Sequence, residues 1–305
     1  MTAAQKTDKA KIRLVITDLD NTLYDWIESF VPPFYAMVSS AAAFLGVEEK
    51  QLLDELQAVH QRHGSSEHPY ALLETTTVEQ QMWDKDRATR RRLLSEVFHE
   101  FNKLRKQNLR LYQGVATTLG ALKSFGVPAV AYTDARVQNS LFRMVKLSLL
   151  PLISRLYAPQ HNVESEPPGP TPDYVSSIPK DYVRLLPPED RKPNPEALID
   201  ICNDFGVAPA AALYIGDSMV RDIYMAQSAG LHNAWARYGT EVDHALWSRL
   251  VRVTHWSAGD VQREERIRAE AANTEPEVEL AEFSDILERF TFVGSSKNIV
   301  GAPVT

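Results

Sequence analysis

The stretch "LVITDLDNTLYDW", residues 14–26, decides how the chain is read. Four apolar or β-branched residues in succession, 14–17, predict a strand buried on both faces, and the run stops at two carboxylates, Asp18 and Asp20, separated by one leucine. A buried strand that ends in paired like charges must deliver them to a place where they are neutralised or used.

Outward from that strand the texture changes twice. Residues 24–111 hold few glycines and no strand-like alternation, and the helical spacing in "FYAMVSSAAAFLG" and "LLSEVFHEFNKLRKQ" predicts a helical insert. From "YQGVATTLGALKSFG" onward helix and strand alternate. A helix runs to Phe125, "VPAVAYT" is a strand, "RVQNSLFRMVKLS" a helix and "ISRLYAP" a strand. "PNPEALIDICNDFG" opens on proline and closes on Gly206 as a helix should, "AALYIGD" is a strand, "MVRDIYMAQSAG" a helix and "HNAWARYG" a strand. Repeated βα units predict an α/β fold with a doubly wound parallel sheet, accompanied by a smaller all-helical domain. The expected boundaries are 1–23 and 112–305 for the Rossmann-like core and 24–111 for the helical domain. The proline-rich segment 159–191 reads as an inserted loop, and the tail from Ala258 as a charged, exposed helix followed by a last amphipathic helix in "FSDILERF".

Composition narrows the function. With 305 residues, 44% hydrophobic and 24% charged, the chain has mass for one main domain and a smaller one. A formal net charge of -7 offers no general attraction to nucleic acid or an anionic membrane, so neither is an expected partner. Cys202 is the only cysteine, which excludes an intrachain disulfide and a multi-cysteine zinc site and suits a reducing cytoplasm, the expected location. No apolar run approaches the roughly 18 residues of a membrane span.

In an open parallel sheet, ligands bind beyond the carboxyl ends of the strands. Polar residues stand at strand end after strand end: Asp18 and Asp20 after "LVIT", Thr133 and Asp134 after "VAY", Asp217 and Ser218 after "LYIG", with Lys192 opening the helix "KPNPEALIDI". Carboxylates gathered in one pocket repel one another unless a cation is present, and a hard, oxygen-seeking ion such as Mg²⁺ resolves that cost. Two carboxylates one residue apart can divide the work of nucleophile and of general acid and base, and a phosphate ester suits such a site.

Taken together, "DLDNT" (Asp18 to Thr22), "YTD" ending in Thr133 and Asp134, "KP" at Lys192 and "GDSMVRD" from Gly216 to Asp222 resemble the four ordered motifs of the haloacid dehalogenase superfamily of phosphohydrolases. The resemblance implies that Asp18 attacks phosphorus and becomes an aspartyl phosphate, while Asp20 protonates the leaving alcohol and then activates water. It implies Mg²⁺ held by Asp18, Asp217 and the backbone carbonyl of Asp20, with Asp222 supporting the metal waters or Lys192. Thr133, Lys192 and the backbone N–H of Asp134 would hold the phosphoryl oxygens. Dehalogenating members lack a carboxylate two residues after the nucleophile, so Asp20 argues for phosphoryl transfer. The helical insert resembles the family's mobile cap, with Trp26 and Glu28 placed to face the leaving group. The expected activity is a Mg²⁺-dependent phosphatase acting on a small phosphorylated metabolite, as a monomer or homodimer. A phosphomutase using the same aspartate and a binding protein without turnover are the alternatives.

Several features have plainer readings. Thr133, Asp134 and Ser218 can cap the helices that follow them, and Asp222 can merely complement a helix dipole. Arg87, Arg90, Arg91 and Arg92 read as a solvated helix face. His60, His63 and His68 lack a carboxylate or cysteine at ligand spacing and read as surface histidines, and Cys202 reads as core. The 159–191 loop is expected to form a rim on the catalytic face, with Tyr174, Lys180, Tyr182 and Arg184 as contacts.

Overall fold

A computed structural model describes residues 9–160, 178–188, 190–256 and 258–294. The chain divides into two compact units: Met1–Tyr24, Leu111–Thr240 and Asn273–Thr305 form one, and Asp25–Arg110 with Glu241–Ala272 the other.

The first unit is built on a parallel sheet. Its strands are β2 (Leu14–Thr17), β3 (Ala129–Tyr132), β4 (Leu156–Pro159), β5 (Val183–Leu186), β6 (Ala212–Gly216), β7 (His232–Trp235) and β8 (Val278–Glu279), in the order β5-β4-β3-β2-β6-β7-β8. A short pair, β1 (Lys11–Ile12) and β9 (Thr291–Phe292), stands apart. Every residue of β2, β3, β4 and β6 is buried, which is why those strands read as unbroken apolar runs, whereas β5 and β8 at the two edges are half exposed. One face of the sheet packs Leu14, Ile16, Val130, Tyr132 and Tyr214 against Leu198, Ile201 and Cys202 of α8 (Pro195–Asp204) and Met225 of α9 (Tyr224–Ser228). The remaining helices of this unit are α6 (Val115–Ser124), α7 (Val137–Lys146) and α12 (Ile286–Arg289).

Two expectations change here. The segment expected as a loop contributes β5, which pairs with β4. Because β5 runs parallel to β4, Lys180 and Tyr182 precede it at the amino end of the sheet, opposite the strand ends that carry the acidic residues. Tyr182 is buried and its carbonyl accepts from Leu156 N–H, while Arg184 lies within the strand, so these three do not form a rim on the catalytic face. Tyr174 lies outside the described residues.

The second unit is helical, with α1 (Trp26–Leu45), α2 (Glu49–His63), α3 (Thr76–Gln81), α4 (Arg87–Leu93), α5 (Ser95–Asn108), α10 (His244–Val253) and α11 (Ala258–Glu270). Asp25 caps α1 by accepting from Glu28 N–H at 2.8 Å. Pro32 leaves the Glu28 carbonyl without its helical donor, and Asn108 of α5 fills the gap through Nδ2 at 3.3 Å. The expected boundary assigned 241–272 to the core. Instead Leu250 and Val253 of α10 enter the helical core with Phe30, Phe34, Leu52 and Leu56, and Tyr35 donates to the Arg249 carbonyl at 3.0 Å. An apolar stripe on a short helix does not announce which domain it will cover. Among the described residues no single helix is long and apolar enough to cross a membrane.

The histidines also depart from expectation. His60 is buried, with Nδ1 against the Val253 carbonyl at 2.7 Å. His63 and His68 stack 3.5 Å apart and both point Nε2 at Glu74, at 2.7 and 2.9 Å, so a carboxylate does meet them. Arg62 and Arg87 donate to the same carboxylate, and parallel rings this close cannot both aim an in-plane lone pair at one ion. The cluster therefore reads as an ion-paired staple.

Burial lowers the His60 pKa from 6.5 to about 4. The unfolded chain takes up this proton first on acidification, so the His60 contribution is intact above pH 6.5 and is lost as pH falls toward 4, on the order of 3 kcal/mol in all. Denaturant unfolding across that window should show the slope, and His60→Phe should remove about one proton's worth of it; an unchanged slope in the variant would place the effect elsewhere.

Candidate active site

The site grows from the carboxyl ends of the central strands. β2 lies between β3 and β6, in register Ile16 to Val130 and Ile16 to Tyr214. Residues that follow these three strands therefore emerge side by side, at the point where the strand order turns outward in both directions.

Asp18, directly after β2, is nearly buried. Its carboxylate oxygen Oδ1 accepts from Lys192 Nζ at 2.7 Å, and the same ammonium donates to Asp222 Oδ1 at 2.9 Å. Lys192 arrives just before α8, where Asn194 caps the helix and Pro195 opens it. Its backbone N–H donates to Asp134 Oδ1 at 3.1 Å, which ties the Lys192 loop to the end of β3. The rings of Tyr132 and Tyr214 flank the ammonium at 5.3 and 5.5 Å.

Asp222 is buried and fully engaged. Oδ1 accepts from Lys192 and from the Tyr214 hydroxyl at 2.8 Å, and Oδ2 accepts from Ser218 N–H at 3.0 Å. It therefore holds Lys192 and is poorly placed to spend an oxygen on an ion. Ser218 caps the turn Met219–Ile223 through Arg221 N–H. Gly216 is required by this packing, because a Cβ there would stand 2.4 Å from Asp222 Cγ. Thr133 accepts from Ala135 N–H at 3.1 Å and so shapes the turn after β3; the cap position of α7 falls later, at Arg136, so Thr133 and Asp134 are not that helix's caps.

One carboxylate oxygen from each of Asp18, Asp217 and Asp222 lies within 4.8 Å of the other two. At an effective dielectric constant of about 20, each like-charged pair at that spacing repels by roughly 3 kcal/mol. Lys192 neutralises only one of the three charges. Burial above all, opposed by the Lys192 attraction and reinforced by the neighbouring carboxylates, raises Asp18 to about 7, and burial with Asp222 and Asp18 raises Asp217 well above the usual range. Burial alone would lower Lys192, but Asp18 and Asp222 overcome it and hold the ammonium charged. Hard oxygen donors carrying excess negative charge in a small volume fit a divalent cation, with Asp18 and Asp217 as the available carboxylates.

Residues 12–230 match the family of haloacid dehalogenase-like hydrolases, well over half of the chain. The chain belongs to this family. Over 67 residues it is 40% identical to the N-acetylmuramic acid 6-phosphate phosphatase of Pseudomonas aeruginosa, a segment that spans 21% of this chain and 29% of that relative. The fold is also that of the 2-haloacid dehalogenase of Pseudomonas syringae (TM-score 0.54, 19% identity, 91% and 97% of the two chains) and of a phosphatase of the same family from Thermococcus onnurineus (TM-score 0.50, 15% identity, 91% and 97%).

In this hydrolase the residues singled out in the sequence divide by unit. Asp18, Asp20, Thr133, Asp134, Lys192, Asp217, Ser218 and Asp222 all belong to the sheet unit. Trp26 and Glu28 belong to the first turn of α1 in the helical unit, where Trp26 stacks on Phe30 at 5.2 Å. Asp20 is the more exposed carboxylate of the pair after β2, and an unanticipated cation meets it: Arg143 of α7 donates through Nη1 to Oδ1 at 3.0 Å. Also unanticipated are Tyr214, the support of Asp222, and Gly239, where a Cβ would stand 1.7 Å from the Asn21 carbonyl oxygen. Neither Arg143 nor Tyr214 differs in sequence from an ordinary residue of an amphipathic helix or a buried strand.

Proposed function

We propose that this hydrolase is a Mg²⁺-dependent phosphatase that hydrolyses a small phosphorylated metabolite through an aspartyl-phosphate intermediate on Asp18. The observation that carries the reading is the Lys192 ammonium bonded at once to Asp18 and Asp222: it sets a fixed cation against the nucleophile, where transferring phosphoryl oxygens need one. The similarity to a sugar-phosphate phosphatase supports the same reaction type.

Asp18 Oδ attacks phosphorus and the bond from phosphorus to the leaving oxygen breaks, with Asp20 giving that oxygen its proton. Asp20, now ionised, takes a proton from water as the water oxygen attacks phosphorus and releases Asp18. Thr133, Lys192 and the Asp134 N–H bind the phosphoryl oxygens, and Asp222 keeps Lys192 in place. Mg²⁺, held by Asp18, Asp217 and the Asp20 carbonyl, would offset phosphoryl charge and keep Asp18 ionised near neutral pH.

Purified protein should release inorganic phosphate from at least one member of a panel comprising N-acetylmuramic acid 6-phosphate, other sugar phosphates, nucleotides and phosphoglycolate, with Mg²⁺ present, and lose that activity in excess chelator. Silence across the panel with Mg²⁺ would favour a binding role, and isomer formation without phosphate release would favour a mutase.

A further inference from the structure

Arg143 is an arginine on a ten-residue amphipathic helix, a setting in which the long side chain normally reaches for water. Here it turns inward. The residue is 3% exposed, its Nη1 lies 3.0 Å from Asp20 Oδ1 and 3.4 Å from Oδ2, and its guanidinium sits 5.8 Å from the ring centre of the fully buried Tyr24. A desolvated guanidinium is costly without an anionic partner, so the pair holds both members in one arrangement. Asp20 needs such a restraint. Its side chain is 24% exposed, and it stands at the start of an irregular turn in which Asn21 takes a left-handed conformation and donates its N–H to the Tyr24 carbonyl.

We infer that Arg143 is a positioning residue for Asp20: it fixes the plane of the carboxyl group that must reach the leaving oxygen. The inference rests on the phosphatase reading above. In that reaction the Asp18–phosphorus bond forms, the bond from phosphorus to the leaving oxygen breaks, and the Asp20 proton passes to that oxygen. Misorienting Asp20 therefore penalises a substrate in proportion to how badly its leaving group needs the proton. A nitrophenolate departs with little help, whereas an alkoxide does not.

The test measures kcat/KM, which reports steps through leaving-group departure, for wild type, Arg143→Met and Arg143→Lys on 4-nitrophenyl phosphate, phenyl phosphate and glycerol 3-phosphate. Arg143→Met should lose on the order of tenfold to a hundredfold on glycerol 3-phosphate, about threefold or less on 4-nitrophenyl phosphate, and an intermediate factor on phenyl phosphate. Arg143→Lys, which keeps a cation at shorter reach, should show the same ordering with smaller losses. Equal losses on all three esters, the signature of general damage, or no loss on any, would overturn the inference while leaving the phosphatase reading intact. If Arg143→Met does not fold, Arg143→Lys decides alone, and a leaving-group dependence identical to wild type counts against the inference. Wild-type protein inactive on these three esters and on every member of the phosphate-ester panel above overturns the phosphatase reading and this one with it.

Discussion

Asp18→Asn is expected to leave a folded protein that turns over substrate roughly 10⁴-fold more slowly or not at all, the scale seen when one member of a catalytic unit is removed. The amide has nearly the shape of the carboxylate, and its oxygen can still accept from Lys192 Nζ where Oδ1 does at 2.7 Å, so the loop after β2 should keep its place. It lacks the ionised oxygen that would attack phosphorus in the proposed reaction. The variant also removes one of three mutually repelling carboxylates, so without a divalent ion it should melt no lower than wild type. Phosphate release together with thermal melting in chelator measures both consequences. A variant that retains about a tenth of wild-type turnover would dismiss Asp18 as nucleophile; one that melts far lower would mean that the residue is chiefly structural.

Lys192→Ala should lose stability as well as activity. Removing the ammonium would take away the proposed donor to the phosphoryl group, on the order of a hundredfold in kcat or more. It also strands Asp18 and Asp222, both nearly buried and both bonded to the same Nζ, at a cost of about 3–5 kcal/mol. Because the lost charge is positive and buried, Mg²⁺ should restore part of the stability and little of the activity. Denaturant unfolding with and without Mg²⁺, alongside phosphate release, separates the two effects. Wild-type stability in Lys192→Ala would show that the carboxylates do not depend on the ammonium.

These variants differ from Arg143→Met in kind. On the proposed reaction Asp18 and Lys192 act on every ester alike, since every ester has the same phosphoryl group, whereas in the steps that kcat/KM reports Arg143 would act through Asp20 on the leaving group. The leaving-group dependence thus assigns each residue to one side of the breaking bond.

The central strands and the acidic motifs were legible because their local signals are strong. Buried parallel strands must be continuously apolar, so β2, β3 and β6 stand out, and charges that interrupt such strands at their ends have few explanations. β5, β8 and β9 were not legible: short, half-exposed edge strands take their identity from the neighbour they pair with. The same holds for α10, whose Leu250 and Val253 fit any apolar surface and found the helical unit across about two hundred residues of chain from Leu45 and Leu52.

The sequence by itself determined the order of the βα units, the strand ends at which Asp18, Asp20, Thr133 and Asp217 emerge, and the helix start that carries Lys192, because periodicity, caps and end charges are properties of neighbouring residues. Only the tertiary structure decided that Lys192 binds Asp18 and Asp222 together, that Tyr214 braces Asp222, that Glu74 gathers two histidines and two arginines, and that Arg143 grips Asp20 across 123 residues. The reason is that a charge buried far from its partner in sequence is paid for by contacts that exist only once the chain has closed around them.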